Sequence, residues 1–540
     1  MHSLRRAFAA VAFALVVAPL VSPAPLFDPD EGLHAAIAQE MVQRGDYVTP
    51  TFLGEPFLDK PILFFWAEAA SLRLCGGGER AVRLPPLLFG LLGMASVAAL
   101  GASLFGRAAG LTAGIVYGTM LLPLGVSQVA VHDIGLVPFL CLAAYCVVRA
   151  SIDDPGPGIA RVAGLGVLAG AALGLSILTK GLVGVVFVCV FAACLGVARP
   201  HAIRRIAGVL AIAAVVSAAV AAPWYLAMEH AHPGYLHYYF VERHLRGYLT
   251  ATQRHAGRGW WYYVPIAIGG ALPWTAYLAV AARELRARPA RLLVWCWFAA
   301  GLMFLSAGES KLVTYALPLF PALAILVGDG LAAQLSAPAA PGRGFRIAAV
   351  LHTIVLAALP AAGLAAVQWK FGASHPLLWP VVAAVAVVVI AAMMRARRST
   401  TLDGFMSGAS AAAIVSLVGM MAVLPHAAAW MTAKDLAGAL NGMGTLPPRV
   451  SVFDERIGSL VFYLSPPLRA DASPERLTDT SMAEAIGRAR VDPDSSIIAV
   501  RNTQLPRFFR LFPRPPAADA RAGTFTIFRA LTLRETLQSR

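Results

Sequence analysis

Long apolar runs recur through most of the chain, near residues 7–26, 84–104, 108–125, 134–150, 161–178, 182–198, 205–222, 262–282, 291–307, 313–333, 346–367, 377–394 and 405–425. Most approach the ~20 residues that an α-helix needs to cross a hydrocarbon core, so the pattern predicts roughly thirteen spans. Past residue 425 the pattern changes. Short runs at Val450–Phe453, Leu460–Leu464, Ser496–Val500 and Thr524–Phe528 read as strands, with a helix near Met482–Ala489. The chain is therefore expected to be a polytopic α-helical membrane module over residues 1–425, followed by a small soluble α/β domain over 426–540. The link at 432–448 is short, which keeps that domain close to the membrane.

Composition agrees with lipid as the main solvent. Of 540 residues, 58% are hydrophobic and 14% charged, with a net charge of +15; a soluble chain carries about 25% charged residues. An excess of basic residues in a soluble protein would suggest nucleic acid. Here arginines sit between spans, in alternate loops, as cytoplasmic loops require: Arg107; Arg149 with Arg161; Arg199, Arg204 and Arg205; Arg283, Arg286, Arg288 and Arg291; Arg343 and Arg346; Arg395, Arg397 and Arg398. With Arg5 and Arg6 inside, an odd number of spans leaves 426–540 outside. In a Gram-negative cell this is the periplasmic face of the inner membrane. The run after Arg6 has features of a signal peptide, but Pro25 directly after Ser22-Pro23-Ala24 makes a poor cleavage site, and a retained first span is expected. Six cysteines, none beyond Cys296, show no metal spacing and suggest no disulfide-stapled domain.

Two outer segments break the apolar pattern, 27–83 and 223–261. The first opens with Asp28, Pro29, Asp30 and Glu31. Asp28 as N-cap, Pro29 at the first helical position and Glu31 at the third make a good helix start, with Gly45 as its stop. Three acids exceed what a cap needs, so Asp30 is the candidate catalytic carboxylate and Glu31 its orienting or acceptor-binding neighbour. Lys60 follows in Asp59-Lys60-Pro61, before an amphipathic stretch over 62–74. It is read as a phosphate contact, since an ammonium acts as a point charge there. Asp133 beside His132 is costly in apolar sequence unless it is paired or functional. Lys180 occupies a later outer turn. The second segment carries Glu242, Arg243, His244 and Arg246, then Arg254, Arg258 and the aromatic cluster at 260–263. Lys311 marks a further outer turn. These outer cations run against the charge bias of the other arginines, and a lipid phosphate at the outer interface accounts for several together.

The order of these pieces resembles the GT-C glycosyltransferases of the dolichyl-phosphate-mannose protein mannosyltransferase superfamily, nearest the bacterial 4-amino-4-deoxy-L-arabinose lipid A transferase family. The pieces are PDEGLHAAIAQEM, GDYVTPTFLGEPFLDKPILFFW, AVRLPPLLFGLL, VHDIGLVPFL, LTKGLVG, FVERHLRGY and ESKLVTYALPLFPALA, covering about residues 1–330. The tail is similar only through VSVFDERIGSLVFYL. The resemblance implies an inverting transfer on the outer leaflet from an undecaprenyl-phosphate-linked sugar. It matches Asp30 and Lys60 to the family's first-loop aspartate and Lys-Pro motif, Asp133 to its second outer aspartate, and Glu242, Arg243 and His244 to its charged loop. Many members carry Glu-x-Arg-Tyr and Lys-Pro-Pro where this chain has Glu31-Gly32-Leu33-His34 and Lys60-Pro61-Ile62. Those departures leave sugar and acceptor open.

The expected reaction is displacement at the anomeric carbon, best matched by aminoarabinose moving from undecaprenyl phosphate to a lipid A phosphate. Protein or other glycan or lipid acceptors are the alternative. Asp30, Glu31 and Asp133 are the catalytic candidates. Lys60, Arg243, Arg246 and Lys311 are candidate donor-phosphate ligands that stabilise charge on the leaving group. Glu242, His244, Lys180 and Tyr315 are counted as other substrate contacts. A hydroxyl acceptor would make Asp30 a general base; an acceptor phosphate would leave it a positioning role. No cofactor is required, although the acids at 30, 31 and 133 offer a place for a divalent ion. The expected partners are the lipid-linked donor, the envelope acceptor and membrane lipids, with no nucleic acid. A transporter or flippase is the rival of another class, but the ionisable groups gather at the outer face rather than mid-span.

Overall fold

The computed structural model describes residues 1–538 apart from 22–23, 153–157, 251–256, 283–288, 337–340, 373–374, 482–483, 485–486, 488–490 and 492–493. Every apolar run lies in a helix or a helix pair, and the chain is an integral membrane protein. Among the described residues nine helices are long and apolar enough to cross a membrane. The pair Trp260–Gly270 and Thr275–Ala282, bent by 101°, is a tenth candidate. The other runs form His2–Val21, Arg107–Thr119 with Leu121–Val126, and Val183–Ala198. The helices Arg107–Thr119 and Val183–Ala198 have 13 and 16 residues; at ~1.5 Å per residue each is shorter than a ~30 Å hydrocarbon core. Among the described residues, length and apolarity together thus support nine or ten of the thirteen expected spans. Of the arginines in the basic loop expected at 283–291, only Arg291 is described with its side chain. Arg283, Arg286 and Arg288 lie outside the described residues, and Arg291 is fully buried against Asp329.

Small residues set how closely the helices approach. On Ile159–Lys180, Gly166, Gly170 and Gly174 face Ile212, Val216 and Val220 of Ile203–Ala231; an added Cβ would fall 2.7, 2.6 and 2.5 Å from their Cβ atoms. A stripe of glycines at i, i+4 lets two backbones pack at short range, and it delivers Lys180 to a fixed place at the helix C-terminus. The apolar stretch of Val313–Ser336 is 89% buried and lies inside the bundle, whereas that of Leu378–Arg398 is 22% buried and faces outward.

The outer segments fold as short helices. Asp30–Arg44 ends at Gly45, whose φ of 67° is the left-handed geometry that glycine adopts without penalty. A two-residue hairpin, Thr51–Phe52 with Glu55–Pro56, leads to the helix Leu63–Cys75. The helix Ile203–Ala231 continues through Pro223, so the second outer segment starts later than hydropathy suggests, and His237–Arg246 within it is π-helical. Asp28 is not the expected N-cap. Pro29 holds that position without a side-chain bond, and the Asp28 carboxylate is taken by the soluble domain.

That domain carries a mixed five-stranded sheet in the order Leu477–Thr480, Val450–Phe453, Ile497–Arg501, Phe525–Arg529, Ala520–Ala522. The first three strands are parallel and the last two antiparallel to their neighbours. Three expected strands are present. The run at Leu460–Leu464 instead lies mostly in the helix Gly458–Tyr463, because a short wholly apolar run has no period that separates helix from strand. The helix expected near 482–489 falls largely outside the described residues.

The helix Gly458–Tyr463 docks the domain onto the membrane module. Tyr463 Oη accepts from the Leu26 amide at 2.8 Å and donates to Glu79 at 2.9 Å, and Lys434 pairs with Glu79 at 2.6 Å. At the closest crossing, a Cβ on Gly32 would lie 2.3 Å from the Ser459 amide nitrogen, and one on Gly458 would lie 2.3 Å from that of Leu33. Backbone cannot yield as a side-chain tip can, so overpacking here costs about 1–3 kcal/mol or more. Gly458→Ala is expected to loosen the domain, seen as faster limited proteolysis between residues 429 and 450, with the membrane helices intact by circular dichroism. Unchanged proteolysis would contradict this packing.

Candidate active site

The start of the helix Asp30–Arg44 is held from two sides. Glu31 is buried and forms a two-pronged pair with Arg83, both contacts at 2.8 Å. Its oxygens also accept from the amides of Phe27 at 2.9 Å and Ala130 at 3.3 Å. Arg83 spends its remaining donors on the carbonyls of Ala24 at 2.6 Å and Pro25 at 2.8 Å. On the other side, Asp28 accepts from the Ser459 amide at 2.9 Å and from the Ser459 hydroxyl, while its own amide donates to Met431 at 2.7 Å. Asp30, between them, is exposed, and no ion pair or hydrogen bond to its carboxylate is present among the described residues.

Asp30 opens onto a cavity of about 1250 Å³ between the membrane module and the soluble domain. Of the residues singled out from sequence, the cavity brings together Asp30, Lys60, Asp133, Glu242, Arg243, Arg246 and Tyr315. Burial pulls the Lys60 ammonium down, but Tyr315, Asp133 and Asp30 outweigh it and hold the group above its ordinary value, so it stays charged. Arg243 pairs with Asp59 at 2.6 Å, and Tyr238 donates to the other oxygen of Asp59 at 2.6 Å; this ties the π-helical loop to the residue before Lys60. Arg246 and Glu242 lie 3.9 Å apart. Asp133 pairs with Lys180, whose ammonium lies 4.3 Å from the Tyr315 ring centre. His34 bonds the Ala130 carbonyl through Nδ1 at 2.9 Å and packs edge-on to His132 at 4.4 Å; burial depresses its basicity and keeps it neutral.

Four expected site residues do not line this cavity. Glu31 is committed to Arg83, so its place is architectural. Lys180 sits behind Asp133 and Tyr315. His244 turns toward Gly181 and donates from Nδ1 to the Tyr239 carbonyl at 2.8 Å; burial lowers its basicity as well. Lys311 is buried and donates to the Gly308 carbonyl. Arg254 lies outside the described residues. Conversely, the sequence reading missed Ser459, which bonds Asp28, and the cavity residues Asp59, Lys370, Trp430, Glu455, Arg456 and Arg501. Ser459 lies within VSVFDERIGSLVFYL, the one tail segment with a family resemblance, and that was its available signal. Beside Asp30 a second, apolar pocket of about 470 Å³ runs between Leu121–Val131, Pro265–Gly270 and Val313. Among the described residues no group of three His, Cys, Asp or Glu is placed to hold a metal ion.

A bundle of membrane helices with short amphipathic helices, a charged cavity at one end and a docked soluble domain defines the GT-C architecture. Residues 59–226 match the dolichyl-phosphate-mannose-protein mannosyltransferase family. The chain is 33% identical over 323 residues to an undecaprenyl phosphate-alpha-4-amino-4-deoxy-L-arabinose arabinosyl transferase of Aeromonas salmonicida, covering 56% of this chain and 55% of that one. It is 30% identical over 376 residues to the protein of the same name from Pectobacterium carotovorum, covering 67% and 66%. The crystal structure of ArnT from Cupriavidus metallidurans bound to undecaprenyl phosphate superposes with a TM-score of 0.75 at 24% identity, over 97% of both chains. Residues 59–226 thus carry a protein mannosyltransferase family domain of GT-C type, and the chain is similar to the aminoarabinose transferases. The sequence matches to the two curated relatives span 55% and 66% of their lengths.

The buried Asp28 carboxyl carries a pH signature. Burial raises it from 3.8 to about 7; the Ser459 hydrogen bonds and Arg501 pull the other way without cancelling burial. A carboxyl raised in the folded state stabilises the fold fully below its unfolded value and loses that contribution as pH rises through the folded value. Thermal stability is therefore expected to fall as pH rises from about 4 to about 8, and Asp28→Asn to flatten that slope. An equal slope in both proteins, measured by thermal unfolding in detergent, would contradict the assignment.

Proposed function

We propose that this chain is an inverting glycosyltransferase that moves aminoarabinose from undecaprenyl phosphate to a phosphate of lipid A, at the periplasmic face of a bacterial inner membrane. The observation that carries the reading is the meeting of Asp30, Lys60 and Arg243 in one outer cavity, with an apolar pocket opening beside Asp30. The names and the undecaprenyl phosphate of the related proteins supply the donor and sugar.

In the proposed step an acceptor phosphate oxygen attacks the anomeric carbon from the face opposite the carrier. The bond from that carbon to the carrier's phosphate oxygen breaks, and the electron pair leaves on undecaprenyl phosphate. Lys60 and Arg243 neutralise the charge that grows there, a contribution realised mainly in the transition state. A phosphate nucleophile is already anionic, so no proton need move, and Asp30 orients the acceptor or the sugar ammonium. Were the acceptor a hydroxyl, Asp30 would take its proton. Asp133, held by Lys180 and facing Lys60, keeps the Lys60 ammonium charged and aimed. Protein cations perform the charge stabilisation, and the proposed step needs no cofactor.

Purified protein given undecaprenyl-phosphate-linked aminoarabinose and lipid A is expected to raise the lipid A mass by one aminoarabinose, with activity surviving exhaustive chelation. Lys60→Ala should lower kcat by roughly 10²–10³, the scale of losing one preorganised charge-stabilising group. Asp30→Ala should abolish transfer. Asp30→Asn retaining most activity would remove the base role and leave the positioning role. No mass gain from folded protein would overturn this donor–acceptor pair.

A further inference from the structure

The cavity is lined by cations besides Lys60, Arg243 and Arg246. In a displacement the nucleophile enters on the side opposite the leaving group, so if Lys60 and Arg243 receive the departing phosphate, the acceptor arrives from the other wall. The Asp28–Asp30 segment meets both the membrane module and the soluble domain: Asp30 acts on Lys60, while Asp28 is bonded to Ser459 and lies in the field of Arg501. The same cavity is also lined by Lys370, Arg456 and Arg501. Two of these are neutralised, Arg501 by Glu455 at 2.7 Å and Arg456 by Asp479 at 3.1 Å. No carboxylate among the described residues pairs with Lys370. Its ammonium lies 5.3 Å from the Phe371 ring centre, and that ring stacks on Trp430 at 5.4 Å with 6° between planes. An unneutralised ammonium beside an aromatic wall, opening on a polar cavity, is a point-charge site for phosphate. At about 1250 Å³ the cavity exceeds the ~300–1,000 Å³ of a one-ligand site, leaving room for two headgroups.

We propose that Lys370, with the Phe371–Trp430 wall and the facing soluble domain, is the acceptor subsite, binding a phosphate monoester on the acceptor's headgroup. This rests on the glycosyl-transfer reading, and its test is a binding measurement that needs no turnover. Full-length protein in nanodiscs is titrated, without donor, with bis-phosphorylated lipid A, with lipid A stripped of its phosphates, and separately with undecaprenyl phosphate. Wild type is expected to prefer phosphorylated lipid A by about tenfold, the size of one charge-assisted contact. Lys370→Ala should lose that preference while its undecaprenyl phosphate affinity stays within about twofold, which also reports that the variant is folded; Lys370→Arg should retain the preference. Lys60→Ala should show the reverse pattern. A wild type that does not discriminate, a Lys370→Ala protein that still does, or one that loses undecaprenyl phosphate binding would each overturn the subsite. A wrong donor–acceptor pair would show differently, as absent turnover with the phosphate preference intact.

Discussion

The Glu31–Arg83 pair is the interaction on which the cavity end of the molecule depends. Two charges out of water are expensive, and the cost is recovered only with good geometry and satisfied remaining donors and acceptors. Both conditions hold. The carboxylate takes two guanidinium contacts and two amides, and the guanidinium also binds two carbonyls. These contacts join residues 24–27, the start of the helix Asp30–Arg44, the helix Glu79–Phe105 and the extended stretch before His132. Those are the segments that carry Asp30 and Asp133 to one place.

With that anchor set, the charged residues divide into two kinds. Glu31, Arg83, Asp28 and Lys311 are buried and bonded, and hold backbone in position. Asp30, Lys60, Arg243 and Arg246 line open space, which preorganised charge requires if it is to act on a substrate. The soluble domain belongs to this arrangement. Through Gly458 and Ser459 it meets the helix that starts at Asp30, and through Arg456 and Arg501 it walls the cavity. It is part of the site rather than a tethered appendage.

Much of this was legible in the chain. The membrane helices, the interfacial helix ending at Gly45 and three strands followed from period and length. Asp30, Lys60 and Asp133 stood out because ionisable groups beside apolar runs are costly without a purpose. The sequence could not show which of two adjacent carboxylates is spent on structure, because Glu31 finds Arg83 only after 52 residues of chain have turned back. Nor could it show Ser459, which reaches Asp28 across 431 positions, or that Lys311 points inward to a carbonyl. Long-range pairing sets those roles, and local pattern carries little record of it.

The division between Asp30 and Glu31 is tested most directly by measuring thermal stability and sugar transfer together in Asp30→Ala and Glu31→Gln. The account predicts that Asp30→Ala unfolds at the wild-type temperature and is inactive. Glu31→Gln should lose about 3–5 kcal/mol of stability by leaving Arg83 buried without its charge partner, yet retain measurable transfer at low temperature where it is folded. A stable but inactive Glu31→Gln, or an Asp30→Ala protein that unfolds early, would contradict it.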